Sequence, residues 1–266
     1  MLFSIASLLL AAGLVSAVPF QQEERRDATG LYDSWRGKNH NWAGRGSSRA
    51  AAQCSCDTAS IQMPQAPKPL PPVSEGLALY HIAVGRGTQN YTCDLSNATA
   101  VPAAAGAVAT LVNATCLTAN SPTLAWSLAG WAYQDKSVKV PQTIPVNDFL
   151  KISGHHFFTD LTTAYFNLDT IGEGDDTWQS NYSQGGFKKI NATDAPANAV
   201  EGSVPWLKLN SKNESDANDC AFQEVYRINT VGGAAPKTCE GQEAEFQIEY
   251  AAEYWFYGKP GTPSSY

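Results

Sequence analysis

The sequence predicts an all-β fold: a single antiparallel β-sandwich or barrel-like domain with a disordered N-terminal arm. Three observations lead to this prediction. The apolar segments beyond residue 76 are short, rich in β-branched and aromatic residues, and separated by clusters of Gly, Pro, Asn and Asp. Helical periodicity is weak along the same part of the chain. The composition, 43% hydrophobic and only 16% charged, suffices for one core and little more than one domain.

Eight segments read as strands, and the last of them gives the clearest pattern. In residues 244–257, aromatic and aliphatic side chains alternate with glutamates and a glutamine, as one buried and one solvated sheet face require. The buried face is predicted to carry Phe246, Ile248, Tyr250, Ala252, Tyr254 and Phe256. The other segments are LALYHIAV, AVATLV, TLAWSLAGWAY, KISGHHFF, TAYFNL, VPWLKL and FQEVYRINTV. The resulting domain covers residues 76–258, followed by a tail at 259–266.

The N-terminus predicts secretion. Residues 1–17 form an uncharged apolar run that ends in small residues, which is typical of a cleaved signal peptide. Residues 18–26 end in Arg25-Arg26, which resembles the site of a kexin-type protease that removes a pro-segment; an ordinary charged linker is the alternative. No later segment is apolar for long enough to span a membrane. We therefore expect a soluble extracellular protein.

Residues 27–75 read as a flexible arm rich in Gly, Ser and Pro, because they lack an apolar period. Within it, Trp35 and Trp42 could clamp onto the domain or a ligand, or could be exposed linker aromatics. The Pro-rich stretch at the end of the arm, PQAPKPLPPV, is expected to be a stiff lead-in to the folded part.

Six N-glycosylation sequons and six cysteines agree with an extracellular location. The cysteines favour disulfides over a metal site, because no pair has C-x-x-C spacing. The preferred pairs are Cys93–Cys116 and Cys220–Cys239, since each brackets a short segment. Cys54 and Cys56 remain, and one of them could reach the domain elsewhere. The sequons are at Asn90, Asn97, Asn113, Asn181, Asn191 and Asn213.

The formal net charge of −7 argues against nucleic acid and anionic membranes as partners, since no basic run offsets it. The expected partner is instead an extracellular ligand, such as a glycan or a host surface component.

Five blocks carry a resemblance to a known family: GRGTQNYTC, GHHF, VPWLKL, YRINTVGGAAP and YAAEYWFY. In this order they resemble a secreted family of fungi and actinobacteria, catalogued as a domain of unknown function (three-four-five-five). The similarity covers about residues 56–257. The Trp-containing arm before Cys54 is not part of that domain.

Some members of this family carry the label malate dehydrogenase, which implies NAD as a cofactor. A Rossmann site needs the G-x-G-x-x-G turn between a strand and a helix. The Gly clusters VGRGTQN and TIGEGDD lack that spacing and a following helix. We therefore expect no cofactor.

Histidines and carboxylates supply the candidates for catalysis or metal binding. His81, His155 and Asp160 could converge on a metal across neighbouring strands, whereas His155 and His156 should point to opposite faces of one strand. The favoured interpretation is structural, with His155 buried and hydrogen-bonded and His156 at the surface. No metal site is expected. For an enzyme, the candidates are His155 and the acidic loop with Glu173, Asp175 and Asp176.

The preferred function is a secreted, N-glycosylated binding or host-interaction protein of effector or elicitor type. Its candidate binding residues are Arg86, Gln89, Trp206 and Arg227, with the GRGTQNY block read as a binding loop or, more simply, a tight turn. The alternative is a secreted enzyme acting on an extracellular polymer or small molecule. An enzyme should show a pocket where His155, Arg86 and a carboxylate converge, and a binding protein a flatter aromatic patch.

Overall fold

The computed structural model describes residues 56–134, 152–171, 179–212 and 220–261. These residues form eight β-strands and two α-helices. The helices, α1 (Thr115–Asn120) and α2 (Pro122–Gln134), follow the second strand. The strands are β1 (Ala78–Thr92), β2 (Ala103–Asn113), β3 (Ile152–Asp160), β4 (Thr163–Ile171), β5 (Gln179–Thr193), β6 (Trp206–Ser211), β7 (Phe222–Gly232) and β8 (Glu245–Gly258).

The strands form a closed antiparallel barrel. Each strand pairs with the next one along the chain, and β8 pairs with β1 to close the sheet. Closure removes the unpaired edges that an open sheet would present. The all-β prediction is confirmed, and of its two alternatives the barrel is the correct one.

One part of the hydrophobic core fills the barrel interior. Tyr250, Tyr254 and Phe256 of β8 are all buried there, as the alternation in this strand predicts. Phe166 meets Phe256 edge to face, with ring centroids 5.4 Å apart. Such large rings fill a barrel of eight strands with few side chains.

A second part of the core covers the outside of the barrel. Residues 56–77, which we call the lead-in, and the two helices pack against outward-facing side chains of β1, β7 and β8. This outer core includes Ala66, Leu70, Ile82, Ala125, Leu128, Trp206, Tyr226, Ile228 and Trp255. The outer face of β8 is therefore not uniformly solvated. Glu253, expected on a wet face, is buried near α2.

Hydrogen bonds fix the lead-in to the barrel. The Tyr226 hydroxyl donates to the carbonyl of Pro71 at 2.9 Å, and the Ser74 amide donates to the Glu224 carboxylate at 3.1 Å. Prolines have no amide hydrogen to satisfy, which suits the positions of Pro71 and Pro72, whose carbonyls accept hydrogen bonds from the barrel. The stiff lead-in thus lies against the domain, which its composition alone did not indicate.

Two of the predicted elements need correction. The segment TLAWSLAGWAY was expected to be a strand, and this is wrong because it lies in helix α2. Pro122 begins this helix at the position that prolines favour, and after Thr123 the helix contains alanine, leucine and tryptophan but no β-branched residue. Strand β5 was missed, because its sequence QSNYSQGGFKKINAT is polar and contains a Gly pair.

The GRGTQNY block is part of strand β1, so the expectation of a tight turn there is wrong. Its glycines lie where neighbouring atoms of the barrel leave no space for a side chain. A β-carbon at Gly85 would lie 2.6 Å from the Tyr254 ring, and one at Gly87 would clash with the backbone of Val108 on β2. Both sites accept only a residue without a side chain.

Two disulfides are present in the described residues, Cys56–Cys116 and Cys93–Cys239. The preferred pairs Cys93–Cys116 and Cys220–Cys239 are therefore wrong. They assumed partners close in sequence, whereas barrel closure places the end of β1 beside the segment that enters β8. Cys56 instead ties the lead-in to α1. Cys220 is buried, and Cys54 lies outside the described residues.

None of the helices in the described ranges is both long and apolar enough to cross a lipid bilayer.

Candidate ligand-binding site

A cavity of about 550 Å³ opens at one end of the barrel. It lies where β1 and β5 end, where β2 and β6 begin, and beside the β3–β4 turn. Its apolar wall includes Phe158, Val204, Leu207 and Leu209, while the exposed Leu161 lies at the rim. We call this space the mouth cavity. A volume of this size is typical of a site for a small organic molecule.

Arg227 and Gln89 bring buried polar groups into the mouth cavity. Their exposed fractions are 8% and 9%, so both side chains are more than nine-tenths buried. Arg227 donates to the Gln89 side-chain oxygen at 3.4 Å and to the carbonyl of Pro205 at 3.0 Å. Within the described residues, Arg227 Nε and Gln89 Nε2 make no hydrogen bond of normal geometry, although Gln89 lies close enough to the Tyr250 hydroxyl to lower the pKa of that group. Buried donors without acceptors are rare and costly, and they mark a place for a missing partner.

Strand register explains why these two residues meet. Arg227 lies opposite Tyr254 on β8, and Gln89 lies opposite Ala107 on β2, so both side chains share the inner face with core residues. They are separated by 138 positions in sequence, with β8 between their strands. Closure of the barrel brings them together.

Tyr91 lines the mouth cavity, and two further tyrosines, Tyr250 and Tyr254, are buried in the barrel core near Arg227. Tyr91 donates its hydroxyl to the carbonyl of Gly233 at 2.7 Å, and the hydroxyls of Tyr250 and Tyr254 lie 2.7 Å apart. Burial raises the pKa of all three phenols, while the positive charge of Arg227 acts in the opposite direction. They therefore stay neutral near pH 7 and offer no base.

The lining of the mouth cavity combines polar and apolar groups. Among the described residues, those that line it include Gln89, Tyr91, Lys188, Lys189 and Arg227, but no histidine, cysteine, serine, aspartate or glutamate. The arrangement offers hydrogen-bond donors, positive charge and apolar walls.

Two of the four predicted binding residues, Gln89 and Arg227, lie in this site, and the other two lie elsewhere. Arg86 is on the outer face of β1, where its guanidinium is 3.6 Å from the Glu249 carboxylate. Trp206 is buried in the outer core.

Sequence reasoning missed the other residues of the mouth cavity. They include Tyr91, Phe158, Lys188, Lys189, Leu207 and Leu209. An inward-facing tyrosine two residues after Gln89 was a usable signal, since alternation places both on one face. The lysines belong to β5, which was not predicted as a strand.

The histidine pair occupies the faces opposite to those expected. His156 is the inner residue: its ring stacks on Phe166 at 4.3 Å, and Nδ1 donates to the carbonyl of Tyr165 at 2.9 Å. Burial, and then the charge of Arg227, lower the pKa of His156 to about 4. His155 is half-buried on the outer face. The expectation was wrong by one residue, because strand alternation does not say which face is inner.

His81 belongs to a separate buried cluster. Its Nε2 lies 2.8 Å from the Ser153 hydroxyl and its Nδ1 lies 3.3 Å from the Thr115 hydroxyl. Burial lowers the pKa of His81 to about 3, so the ring is neutral. Both His81 and Ser153 are fully buried, which denies a substrate access to this pair.

The remaining candidates for catalysis or metal binding lie on the outer face of the barrel, at the β3–β4 turn and outside the described residues. Within the described ranges, no group of three histidines, cysteines or carboxylates could hold a metal ion. Asp160 sits at the β3–β4 turn, paired with Lys212 at 3.1 Å. His155 and Arg86 both flank Thr110 on the outer face, but neither lines the mouth cavity. The acidic loop with Glu173, Asp175 and Asp176 lies outside the described residues.

A smaller cavity of about 280 Å³ lies between the lead-in and the helices. Trp126, Glu253 and Trp255 line it together with lead-in residues. The Glu253 carboxylate already accepts hydrogen bonds from Asn229 and from the Trp255 indole, so its polar groups are largely satisfied. This cavity is a weaker candidate than the mouth cavity.

Comparisons with known proteins identify a family and nothing closer. The model of a family described as "Protein of unknown function (DUF3455)" matches residues 73–258, which span the end of the lead-in and all eight strands. Neither the curated proteins nor the solved structures yield a match. The match agrees with the resemblance that the five sequence blocks indicated.

Proposed function

The chain belongs to the family described as "Protein of unknown function (DUF3455)", a description that assigns no activity, and we propose that it is an extracellular binding protein whose mouth cavity holds a small organic molecule. The observation that carries this proposal is the pair of buried donors, Arg227 Nε and Gln89 Nε2, that make no hydrogen bond of normal geometry at the base of an apolar cavity. A ligand that supplies acceptors there would satisfy them.

The shape of the site favours a small molecule over a glycan or a host surface component. Glycans commonly stack on exposed aromatic platforms. The two exposed tryptophans of α2, Trp126 and Trp131, are five residues apart, and side chains at that spacing do not share a helix face. The mouth cavity, by contrast, is a concave space whose apolar wall consists of leucine, valine and phenylalanine side chains.

The extracellular location rests on the N-terminal apolar run and on the two disulfides, which oxidising compartments favour. In this location the exposed sequons should carry glycans. Asn97 and Asn191 are exposed, whereas Asn113 is half-buried and accepts a hydrogen bond from the Thr115 amide. Glycopeptide mass spectrometry of the secreted protein should find Asn97 and Asn191 occupied and Asn113 empty. Bare asparagines at both exposed sites would contradict the glycoprotein proposal.

Binding can be tested with two fluorescent probes of nearly the same ring system, anilinonaphthalene sulfonate and the neutral phenylnaphthylamine. At least one probe should bind with a stoichiometry near one. Ala104 lines the mouth cavity and is exposed, so Ala104→Trp should obstruct the entrance without unfolding the barrel. Ala103→Trp is the matched control, because Ala103 is also exposed but lies outside the lining.

The proposal predicts that Ala104→Trp abolishes probe binding and that Ala103→Trp leaves it unchanged. Failure of both probes to bind the parent protein would contradict the proposed function. Equal binding by the two tryptophan variants would place the probe elsewhere on the surface, and would also contradict it.

A further inference from the structure

In the mouth cavity, the positive charge of Arg227 has no negatively charged partner among the described residues. Two other lysine or arginine side chains are buried within the described residues, and each has a carboxylate nearby: Lys208 lies 3.0 Å from Glu224, and Arg86 lies 3.6 Å from Glu249. Within the described residues, no aspartate or glutamate pairs with Arg227, whose two acceptors are both neutral oxygens. A buried charge without a counter-charge strongly destabilises the folded state, so a bound anion would stabilise it.

The guanidinium also retains the donors that an anion needs. A guanidinium has five N–H bonds, and two of them are used by Gln89 and Pro205, which leaves three. The amide nitrogen of Gln89 adds a neighbouring donor. Carboxylate and sulfate groups accept several such bonds at once, and arginine binds them through paired parallel bonds.

The side chains around Arg227 determine the polarity of the rest of the ligand. The cavity wall is apolar, so the part of the ligand beyond the anionic group must be apolar as well. At the rim, the exposed Lys188 and Lys189 add positive charge, although the chain as a whole carries a formal net charge of −7. The local field at the cavity therefore attracts an anion on an otherwise acidic protein.

We propose that the ligand of the mouth cavity is an apolar molecule with one anionic headgroup, a carboxylate or a sulfate, which Arg227 and Gln89 bind at the base of the cavity. This inference rests on the proposed function, because it assumes that the mouth cavity is occupied. It adds the chemical class of the occupant and assigns Arg227 as its anchor.

The two fluorescent probes differ chiefly in the sulfonate, and their comparison isolates the anionic group. The parent protein should bind anilinonaphthalene sulfonate about 10- to 100-fold more tightly than phenylnaphthylamine, as expected for hydrogen bonds to a charged group. In Arg227→Met this preference should disappear. In Lys188→Gln, which removes an exposed rim charge, the preference should fall less than in Arg227→Met, because solvent screens an exposed charge. Lys237→Gln is the matched control, because Lys237 is exposed but lies outside the lining, and it should leave the preference unchanged.

The outcomes separate this inference from the proposed function. If neither probe binds, the proposed function fails. If both probes bind the parent protein with equal affinity and Ala104→Trp removes both, the mouth cavity binds ligands but the anionic inference is overturned. If the preference is lost in Lys188→Gln but kept in Arg227→Met, the rim rather than Arg227 recognises the anion, and the assignment of Arg227 is overturned.

Displacement of anilinonaphthalene sulfonate distinguishes the two headgroups. Decanoate, decyl sulfate and decanol share one alkyl chain and differ only at the head. Decanoate or decyl sulfate should displace the probe at least about tenfold more effectively than decanol. Whichever of these two anions displaces it better identifies the preferred headgroup. Equal displacement by decanol would overturn the inference. This comparison in the parent protein stays decisive if Arg227→Met does not fold.

Discussion

The ammonium group of Lys208 lies 3.0 Å from the carboxylate of Glu224, and both side chains are buried on the outer face of the barrel. The same pair also holds the lead-in: Lys208 donates to the carbonyl of Pro72 at 2.6 Å, and Glu224 accepts from the Ser74 amide. The barrel thus uses a balanced pair of charges for structure at this place. In the mouth cavity, by contrast, the charge of Arg227 has no such partner.

Lys208→Met should therefore leave the Glu224 carboxylate buried without a counter-charge. We expect the free energy of unfolding to fall by about 3–5 kcal/mol, and protease cleavage within the lead-in to become faster. Urea denaturation and limited proteolysis measure the two effects. Adding Glu224→Gln to this variant removes the orphaned charge and should recover part of the loss. A loss below about 1 kcal/mol in Lys208→Met would show that the pair is not important for stability.

The disulfide Cys93–Cys239 should stabilise the closure of the barrel between β1 and β8. Replacing both cysteines by alanine should lower the free energy of unfolding by about 2–5 kcal/mol, because the unfolded chain gains freedom. Peptide mapping without reduction should recover Cys93 linked to Cys239 and Cys56 linked to Cys116. A peptide that links Cys93 to Cys116 would contradict the observed topology.

His156 should contribute more to stability than His155, although the two are adjacent in sequence. His156→Ala removes a buried ring that stacks on Phe166, and with it the hydrogen bond that Nδ1 donates to the Tyr165 carbonyl, at an expected cost of about 2–4 kcal/mol. His155 is half-buried, so His155→Ala should cost less than about 1 kcal/mol. Thermal or urea unfolding of the two variants checks this order, and the reverse order would place His155 on the inner face.

Stability should fall as the pH decreases from 7 towards 4. Burial lowers the pKa of His81 to about 3 and that of His156 to about 4, against 6.5 for the exposed side chain. Below pH 6.5 each histidine therefore binds a proton in the unfolded chain but stays neutral in the folded protein. Each one lowers the free energy of unfolding by up to about 1.4 kcal/mol per pH unit. Their contribution to stability is fully present above pH 6.5 and is lost as the pH falls through this window.

Glu253 acts in the opposite direction, because burial raises its pKa and favours its protonated form in the folded state. It is one group against three, because burial also lowers the pKa of His155. Unfolding free energies at pH 7 and pH 5 measure the net slope. In His156→Gln the decrease should be shallower than in the parent protein, and an identical decrease in both would rule out a contribution from His156.

How much the sequence could predict depended on whether a feature is local. The inner face of β8 follows from alternation within one segment, so Tyr250, Tyr254 and Phe256 were predicted correctly. The wrong disulfide pairs and the reversed histidine faces depend on which strands become neighbours and on which face turns inward. A single sequence contains neither fact in its local pattern.

The candidate site shows the same division. Gln89 and Arg227 were recognised as candidate binding residues, each within its own block. Their meeting at the base of a cavity follows from the closed register of β7, β8, β1 and β2, which brings residues 138 positions apart into contact. Barrel closure, which a linear pattern does not reveal, creates the site.

A crystal structure of the protein with decanoate tests the assignment of Arg227 most directly. The carboxylate should lie within about 3 Å of the guanidinium nitrogens of Arg227, and the alkyl chain should lie along the apolar wall of the mouth cavity. Decanoate bound only at the outer surface, or a mouth cavity that stays free of ligand at saturating decanoate, would contradict this assignment.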